Sequence, residues 1–340
     1  MMKEYETDAH RYGQKVRIDF STNICPHARL EGLQQHLSAR MDSLFHNPEI
    51  EPNELEGNLS EFLAIPRECL MVTRDSKEAI HLLAQLFRGY ASIIPQPTCS
   101  LYVDACRLHQ HIISYEKTEE LTHLKEERLY WLCNPNIPSG NVLMKGFMDY
   151  VVRANPQYIY IVDQTYENYT REPLFTPNDV QRLTNLVQLH SLSVQYAVPG
   201  LRLSYITACP SIIARLHELR QPWTMSPLTV EAGLWLLQHG QDIVPNLDDR
   251  LAEAARLRES LAAISGVRMF ESKCTFMLGC LNDIPAADLH HYLLHQHGIL
   301  IRDCSTFEGL NSDFFSVASQ TPEENDELVQ AIKQFMEDKK

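Results

Sequence analysis

Two rhythms of apolar and polar positions alternate along this chain. Short, nearly continuous apolar runs recur at Cys69–Thr73, Ala91–Ile94, His111–Tyr115, Leu129–Leu132, Tyr158–Val162, Leu186–Leu189 and Leu203–Ala208. Runs of this length read as strands, the Tyr158–Val162 run as one buried on both faces. Ser76–Phe87 and Ser100–Leu108 instead carry the helical period, as does Leu30–Leu44 upstream, and Asn53–Leu63 places Leu55, Leu59, Phe62 and Leu63 on one face. Downstream, helices are expected at Pro210–Leu219, Pro227–His239, Asp242–Ile264 and Ala286–His297, with strands at Arg268–Met269 and Thr275–Leu281. A last helix spans Thr321–Met336, where Thr321 and Glu324 have capping-box spacing.

The strand–helix alternation from Cys69 to Ala208 predicts a mainly parallel sheet covered by helices on both faces. The terminal segments predict a smaller α/β unit, and 340 residues suit two domains of unequal size. The expected division is an N-terminal arm with part of the small domain (1–40), a large domain (41–240) and a small C-terminal domain (241–340), with Asp242–Ile264 crossing between the two. Met1–Val16, polar and charged, reads as a mobile arm with no leader-like segment.

A formal net charge of -14 argues against binding nucleic acid or an anionic membrane surface. No apolar run approaches membrane-spanning length. The 9 cysteines are scattered without CxxC or Cys/His ligand spacing, which suits reduced thiols in a cytoplasmic protein and gives no metal site.

The chemistry-bearing stretch is Ser191-Leu192-Ser193-Val194 followed by Pro199-Gly200-Leu201-Arg202. Others are Asp19-Phe20-Ser21-Thr22-Asn23-Ile24-Cys25-Pro26, Asn134-Pro135-Asn136-Ile137-Pro138-Ser139-Gly140, Asp163-Gln164-Thr165-Tyr166, Gly298-Ile299-Leu300-Ile301-Arg302-Asp303 and Thr321-Pro322-Glu323-Glu324-Asn325. In this order, across nearly the whole chain, they resemble the class I/II aminotransferases, pyridoxal-phosphate (PLP) enzymes of fold type I. The likeness is greatest to threonine-phosphate decarboxylases and histidinol-phosphate aminotransferases. The resemblance implies an α/β PLP-dependent transferase fold, a homodimer with sites at the subunit interface, and a phosphorylated amino-acid-like ligand. It assigns Asp163 to the pyridine nitrogen, Tyr166 to the ring O3′, Ser191, Arg202 and Ser76 to the cofactor phosphate region, and Asn23 and Arg302 to substrate.

The departures fall at positions that carry chemistry. Where the family has the lysine that tethers the cofactor and moves the substrate proton, this chain has Val194, and no lysine lies between Lys145 and Lys273. The ring-stacking aromatic is Cys99, the O3′ donor is Ile137 and the carboxylate-clamping arginine is Ser316. Asn47-Pro48-Glu49-Ile50 replaces Tyr-Pro-x-Pro, whose tyrosine reaches the partner subunit's cofactor. The phosphate-cradling turn carries Asp75. That carboxylate either faces a phosphate, at a repulsion of about 4 kcal/mol for charges 4 Å apart, or caps the helix at Ser76. Lys77 is the one nearby amine. Three functions follow: a relative without PLP catalysis that serves as a binding or regulatory protein, an enzyme using untethered PLP or pyridoxamine phosphate, or a structural partner of an active paralogue. The N-terminal match points to cobalamin-type metabolism.

Overall fold

The computed structural model describes residue 9 and residues 12–25, 27–115 and 128–339. The expected N-terminal arm lies mostly outside the described residues; within them Gly13–Lys15 forms a 3-10 turn and Arg17 N–H donates to the Gly298 carbonyl at 2.7 Å. In chain order the elements begin with β1 (Ile18–Asp19), α1 (Glu31–Ser38) and α2 (Asn53–Leu63). Next come β2 (Leu70–Thr73), α3 (Ser76–Leu86), β3 (Ala91–Ile93), α4 (Ser100–Leu108) and β4 (Ile112–Ser114). β5 (Arg128–Cys133), α5 (Lys145–Ala154), β6 (Ile159–Asp163), β7 (Leu186–Ser191), the short α6 (Leu192–Gln195) and β8 (Ser204–Ala208) follow. Then come α7 (Pro210–Leu219), α8 (Pro227–His239) and α9 (Leu247–Ala262). The chain closes with β9 (Val267–Met269), β10 (Phe276–Leu281), α10 (Ala286–Tyr292), β11 (Ile299–Leu300), β12 (Arg302–Asp303), β13 (Phe314–Ala318) and α11 (Pro322–Asp338).

The large sheet has seven strands in the order β2-β8-β7-β6-β5-β3-β4. It is mainly parallel: β4, β3, β5, β6 and β7 run together, and β8 alone runs against its neighbours β7 and β2. The period-2 alternation of strand side chains divides the core. Trp131, Ile161, Val187 and Leu189 pack one way against α3, α4 and α7. Tyr130, Leu132, Tyr160 and Val162 pack the other way against α5 and the turn Pro177–Gln181. Near the β2 edge, Leu70, Val72 and Tyr205 pack with α1, α2 and α8. A separate antiparallel sheet, β12-β13-β10-β9, shares a core with α9, α10 and α11. β1 joins this part of the molecule by pairing with β11, Ile18 opposite Ile299.

Three helices differ from the periodicity. Leu30–Leu44 is broken: α1 ends at Ser38, whose hydroxyl bonds the Gln34 carbonyl at 2.8 Å and competes with the helical ladder, and a separate turn covers Met41–Phe45. Asp242–Ile264 begins only at Leu247, because Asn246 caps α9 by accepting from the Asp248 N–H. Ala286–His297 is α-helical to Tyr292 and then widens into a π turn that stops at Gly298, where φ is +66°. Both halves of the capping box at Thr321 and Glu324 form.

Candidate functional site

β5, β6 and β7 run in register and end together, so the loops leaving them converge. β2 has the same direction, being antiparallel to β8, and brings Thr73 and Asp75 to that edge. Open α/β sheets bind ligands at this carboxyl edge. A cavity of about 140 Å³ lies there, bordered by Asn23, Ser76, Asp163, Tyr166, Ser191, Val194, Arg202 and Arg302. All eight expected positions therefore meet in one place, although they span most of the sequence. Ile137 and Cys99 also face the cavity and do not fill it. Its size is close to that of an apolar cavity of about 150 Å³ that admits benzene.

Asp163 is the last residue of β6 and is buried. Its Oδ2 accepts from the Tyr102 hydroxyl at 2.7 Å and its Oδ1 from the Thr165 N–H at 2.9 Å. Tyr102 comes from α4, is buried, and stacks on Trp131 with ring centroids 5.9 Å apart. Burial, with the Asp163 carboxylate beside it, pushes its hydroxyl well above the usual phenol range, so it stays a donor. Cys133, at the end of β5, donates its thiol to the Pro135 carbonyl; burial, and then Asp163, raise it well above the usual thiol range.

The loop after β5 is held by its asparagines. Asn134 exchanges bonds with the Leu143 carbonyl and N–H at 3.0 and 2.8 Å, and Asn136 donates to the Pro97 carbonyl at 3.0 Å. Gly140 closes the loop at φ +71°, where a Cβ would lie 2.0 Å from Ser272 Oγ and 2.8 Å from the Phe276 carbonyl oxygen. Only glycine meets both conditions.

Ser191 caps α6, accepting from the Val194 N–H at 3.3 Å, and Ser193 accepts from the Leu203 N–H at 2.7 Å. Val194 is half-buried and borders the cavity. Its carbonyl accepts from the Tyr169 hydroxyl at 3.1 Å, and the Tyr169 hydroxyl oxygen in turn accepts from the Cys25 N–H at 3.2 Å. Tyr169 thus ties the N-terminal loop bearing Asn23 to α6. Tyr166 packs edge-on against the rings of Tyr169 and Phe276.

Arg202 follows the turn Pro199–Leu201 in a left-handed conformation, φ +54°. Its Nη2 donates to Asp75 Oδ2 at 2.6 Å, while Asp75 Oδ1 accepts from the Glu78 N–H at 2.7 Å and caps α3. Burial raises Asp75, but the Glu78 amide and Arg202 outweigh it and hold the carboxyl below its usual value. Ser76 follows, within 3.3 Å of the hydroxyls of Thr165 and Ser204. Lys77 in the first turn of α3 also borders the cavity. At the opposite side Arg302 is buried, with its guanidinium 4.9 Å from the centre of the Phe307 ring, and Ser316 lies directly across from it on β13.

Sequence reasoning did not foresee Tyr102, Thr165 and Tyr169 as the groups that organise this edge. Their partners lie 61, 2 and 25 residues away. Only the Asp163–Thr165 contact carries a local signal, a strand-end aspartate followed by a threonine.

The fold is that of the PLP-dependent aminotransferases, with its mostly parallel central sheet. Residues 16–332 match the model for aminotransferase class I and II, and the chain belongs to that family. A putative threonine-phosphate decarboxylase of Caldanaerobacter subterraneus subsp. tengcongensis is 29% identical over 312 residues, 86% of this chain and 83% of that one. A histidinol-phosphate aminotransferase of Desulfitobacterium hafniense is 26% identical over 339 residues, 94% of this chain and 92% of that one. Among solved structures, the L-threonine-O-3-phosphate decarboxylase from Porphyromonas gingivalis superposes with a TM-score of 0.91 at 29% identity, covering 94% of this chain and 99% of that one. The histidinol-phosphate aminotransferase from Sinorhizobium meliloti, solved in complex with pyridoxal-5'-phosphate, shares the fold at 15% identity and a TM-score of 0.85, over 97% and 94% of the two chains. Among the described residues no helix is long and apolar enough to cross a membrane.

Proposed function

We propose that this protein has lost the imine chemistry of its family and serves as a cytoplasmic, homodimeric binding or regulatory protein for a small amino-acid-like ligand. The observation that carries the reading is Val194: the residue that borders the cavity in α6, just after β7, carries an isopropyl group. A hydrocarbon forms no imine with an aldehyde and neither gives up nor accepts a proton at neutral pH. On this reading the cavity does not fit a tethered pyridoxal phosphate. Cys99 offers no ring face and Ile137 no donor, though both border the space.

What supports ligand binding is that the cavity stays open and polar. Hydroxyls of Ser76, Ser191 and Ser204 border one part of it and Arg302 another. Ligands of the relatives bear phosphate by name, threonine phosphate and histidinol phosphate, and Arg302 suits the anionic tail of such a molecule. The second reading, an enzyme holding PLP or pyridoxamine phosphate without a tether, draws on Asp163 and Tyr166, which keep cavity positions. Visible spectra of the wild type and of Val194→Lys titrated with pyridoxal phosphate separate the two. The first reading expects no spectral change in the wild type and weak binding at best in the variant. Saturable wild-type binding at micromolar cofactor, with turnover of an amino-acid phosphate, would establish the second.

A further inference from the structure

The N-terminus of α3, the Arg202 guanidinium and the hydroxyl of Ser76 with its partners Thr165 and Ser204 form one anion seat. Helix N-termini and arginine forks both favour an oxyanion. Here the seat holds an anion supplied by the chain. We propose that the Asp75 carboxylate is a built-in substitute for a ligand phosphate, so that this end of the cavity excludes phosphorylated ligands and the site is assembled without any bound anion. The inference rests on the loss of the tethered cofactor proposed above, and concerns the other group by which such a cofactor would be held.

The two oxygens of Asp75 divide the work. Oδ1 takes the Glu78 N–H at 2.7 Å, which is the helix-terminal donor, and Oδ2 takes Arg202 Nη2 at 2.6 Å, which is the arginine donor. An incoming phosphate meets the Asp75 charge and finds both donors engaged. The Arg202 backbone sits in the left-handed region at φ +54°, between the turn Pro199–Leu201 and the strand β8, and its half-exposed side chain reaches across to Asp75. The Glu78 side chain accepts in turn from the Arg74 N–H at 2.6 Å, so the turn before α3 is braced by carboxylates on both sides. One unit of negative charge held about 4 Å from a phosphate weakens its binding on the order of a thousand-fold at an effective dielectric near 20.

Removing only the charge tests this. Asp75→Asn keeps a good helix cap while removing the charge and releasing Arg202 to an external anion. Inorganic phosphate binding is read by equilibrium dialysis and by thermal unfolding against chloride of matched ionic strength. The wild type should show no binding that Arg202→Gln abolishes. Asp75→Asn should gain binding by roughly a hundred-fold or more, and Asp75→Asn with Arg202→Gln should lose that gain. Pyridoxal phosphate should then bind Asp75→Asn better than unphosphorylated pyridoxal does, with no borohydride-reducible adduct. Wild-type phosphate binding that depends on Arg202 would overturn the proposal, as would an Asp75→Asn variant, folded by circular dichroism, that gains nothing. Neither result bears on Val194, because phosphate carries no aldehyde. A reducible adduct in the wild type would count against the lost imine chemistry and leave the phosphate result standing.

Discussion

Replacing Tyr102 by phenylalanine removes one oxygen from the floor of the cavity and tests how Asp163 is held. The hydroxyl is buried and donates to Asp163 Oδ2 at 2.7 Å. A hydrogen bond to a charged acceptor contributes about 1.5–3 kcal/mol, and the carboxylate oxygen left behind has no second donor from Thr165, whose N–H serves Oδ1. For 340 residues the unfolding entropy is roughly 0.7 kcal/mol/K, so the melting temperature should fall by about 2–4 °C. The phenol is pushed well above its ordinary value by burial and by Asp163, so the loss should be the same at pH 6 and pH 9. Urea unfolding gives the free energy, and a cycle with Asp163→Asn gives the coupling between the two groups. A loss below about 0.5 kcal/mol together with a coupling near zero would refute the claim that Tyr102 holds this carboxylate.

Three further outcomes follow from particular contacts. Glu56 and Arg220 form a buried pair at 3.0 Å, with Glu56 accepting from the Val72 N–H and Arg220 donating to the Val72 carbonyl at 2.7 Å; Glu56→Gln should destabilise by about 3 kcal/mol in urea unfolding, since it strands a buried guanidinium. Gly140→Ala should cost about 2 kcal/mol or more, and adding Ser272→Ala should recover only part of it, because the Phe276 carbonyl and the positive φ remain. Asp179 is raised by burial but brought down to about 2 by Lys145, the Thr176 N–H and Arg182; a carboxylate depressed in the folded state stabilises it above its unfolded value of 3.8 and loses that contribution as pH falls through about 2. Asp179→Asn should therefore flatten the stability profile between pH 4 and pH 2, and an unchanged slope would sink that assignment.

Elements with strong period and clear punctuation were legible in the chain. Asn53–Leu63, Ser100–Leu108, Pro210–Leu219 and Pro227–His239 form with the expected bounds, the last two starting at proline, which suits a first helical position. The breaks in Leu30–Leu44 and Ala286–His297 were not legible. One depends on a serine turning back on its own helix and the other on a π turn that leaves the apolar pattern intact. The antiparallel course of β8 was equally hidden, because a buried strand reads the same in both directions. At the site, the positions expected from motif order border one cavity, but their bonds were another matter. Asp75 and Arg202 lie 127 residues apart, and sequence favoured Asp75 as a helix cap over Asp75 facing a phosphate. It caps α3 and also pairs with Arg202, a contact no local pattern encodes.

The central claim is that Val194 ends imine chemistry in this fold. Its most direct test is borohydride reduction of the wild-type protein saturated with pyridoxal phosphate, followed by peptide mass spectrometry. No reduced adduct is expected on any lysine bordering the cavity, with surface lysines labelled only in proportion to free aldehyde. A stoichiometric adduct mapping to Lys77, the lysine that borders the cavity in the first turn of α3, would contradict it.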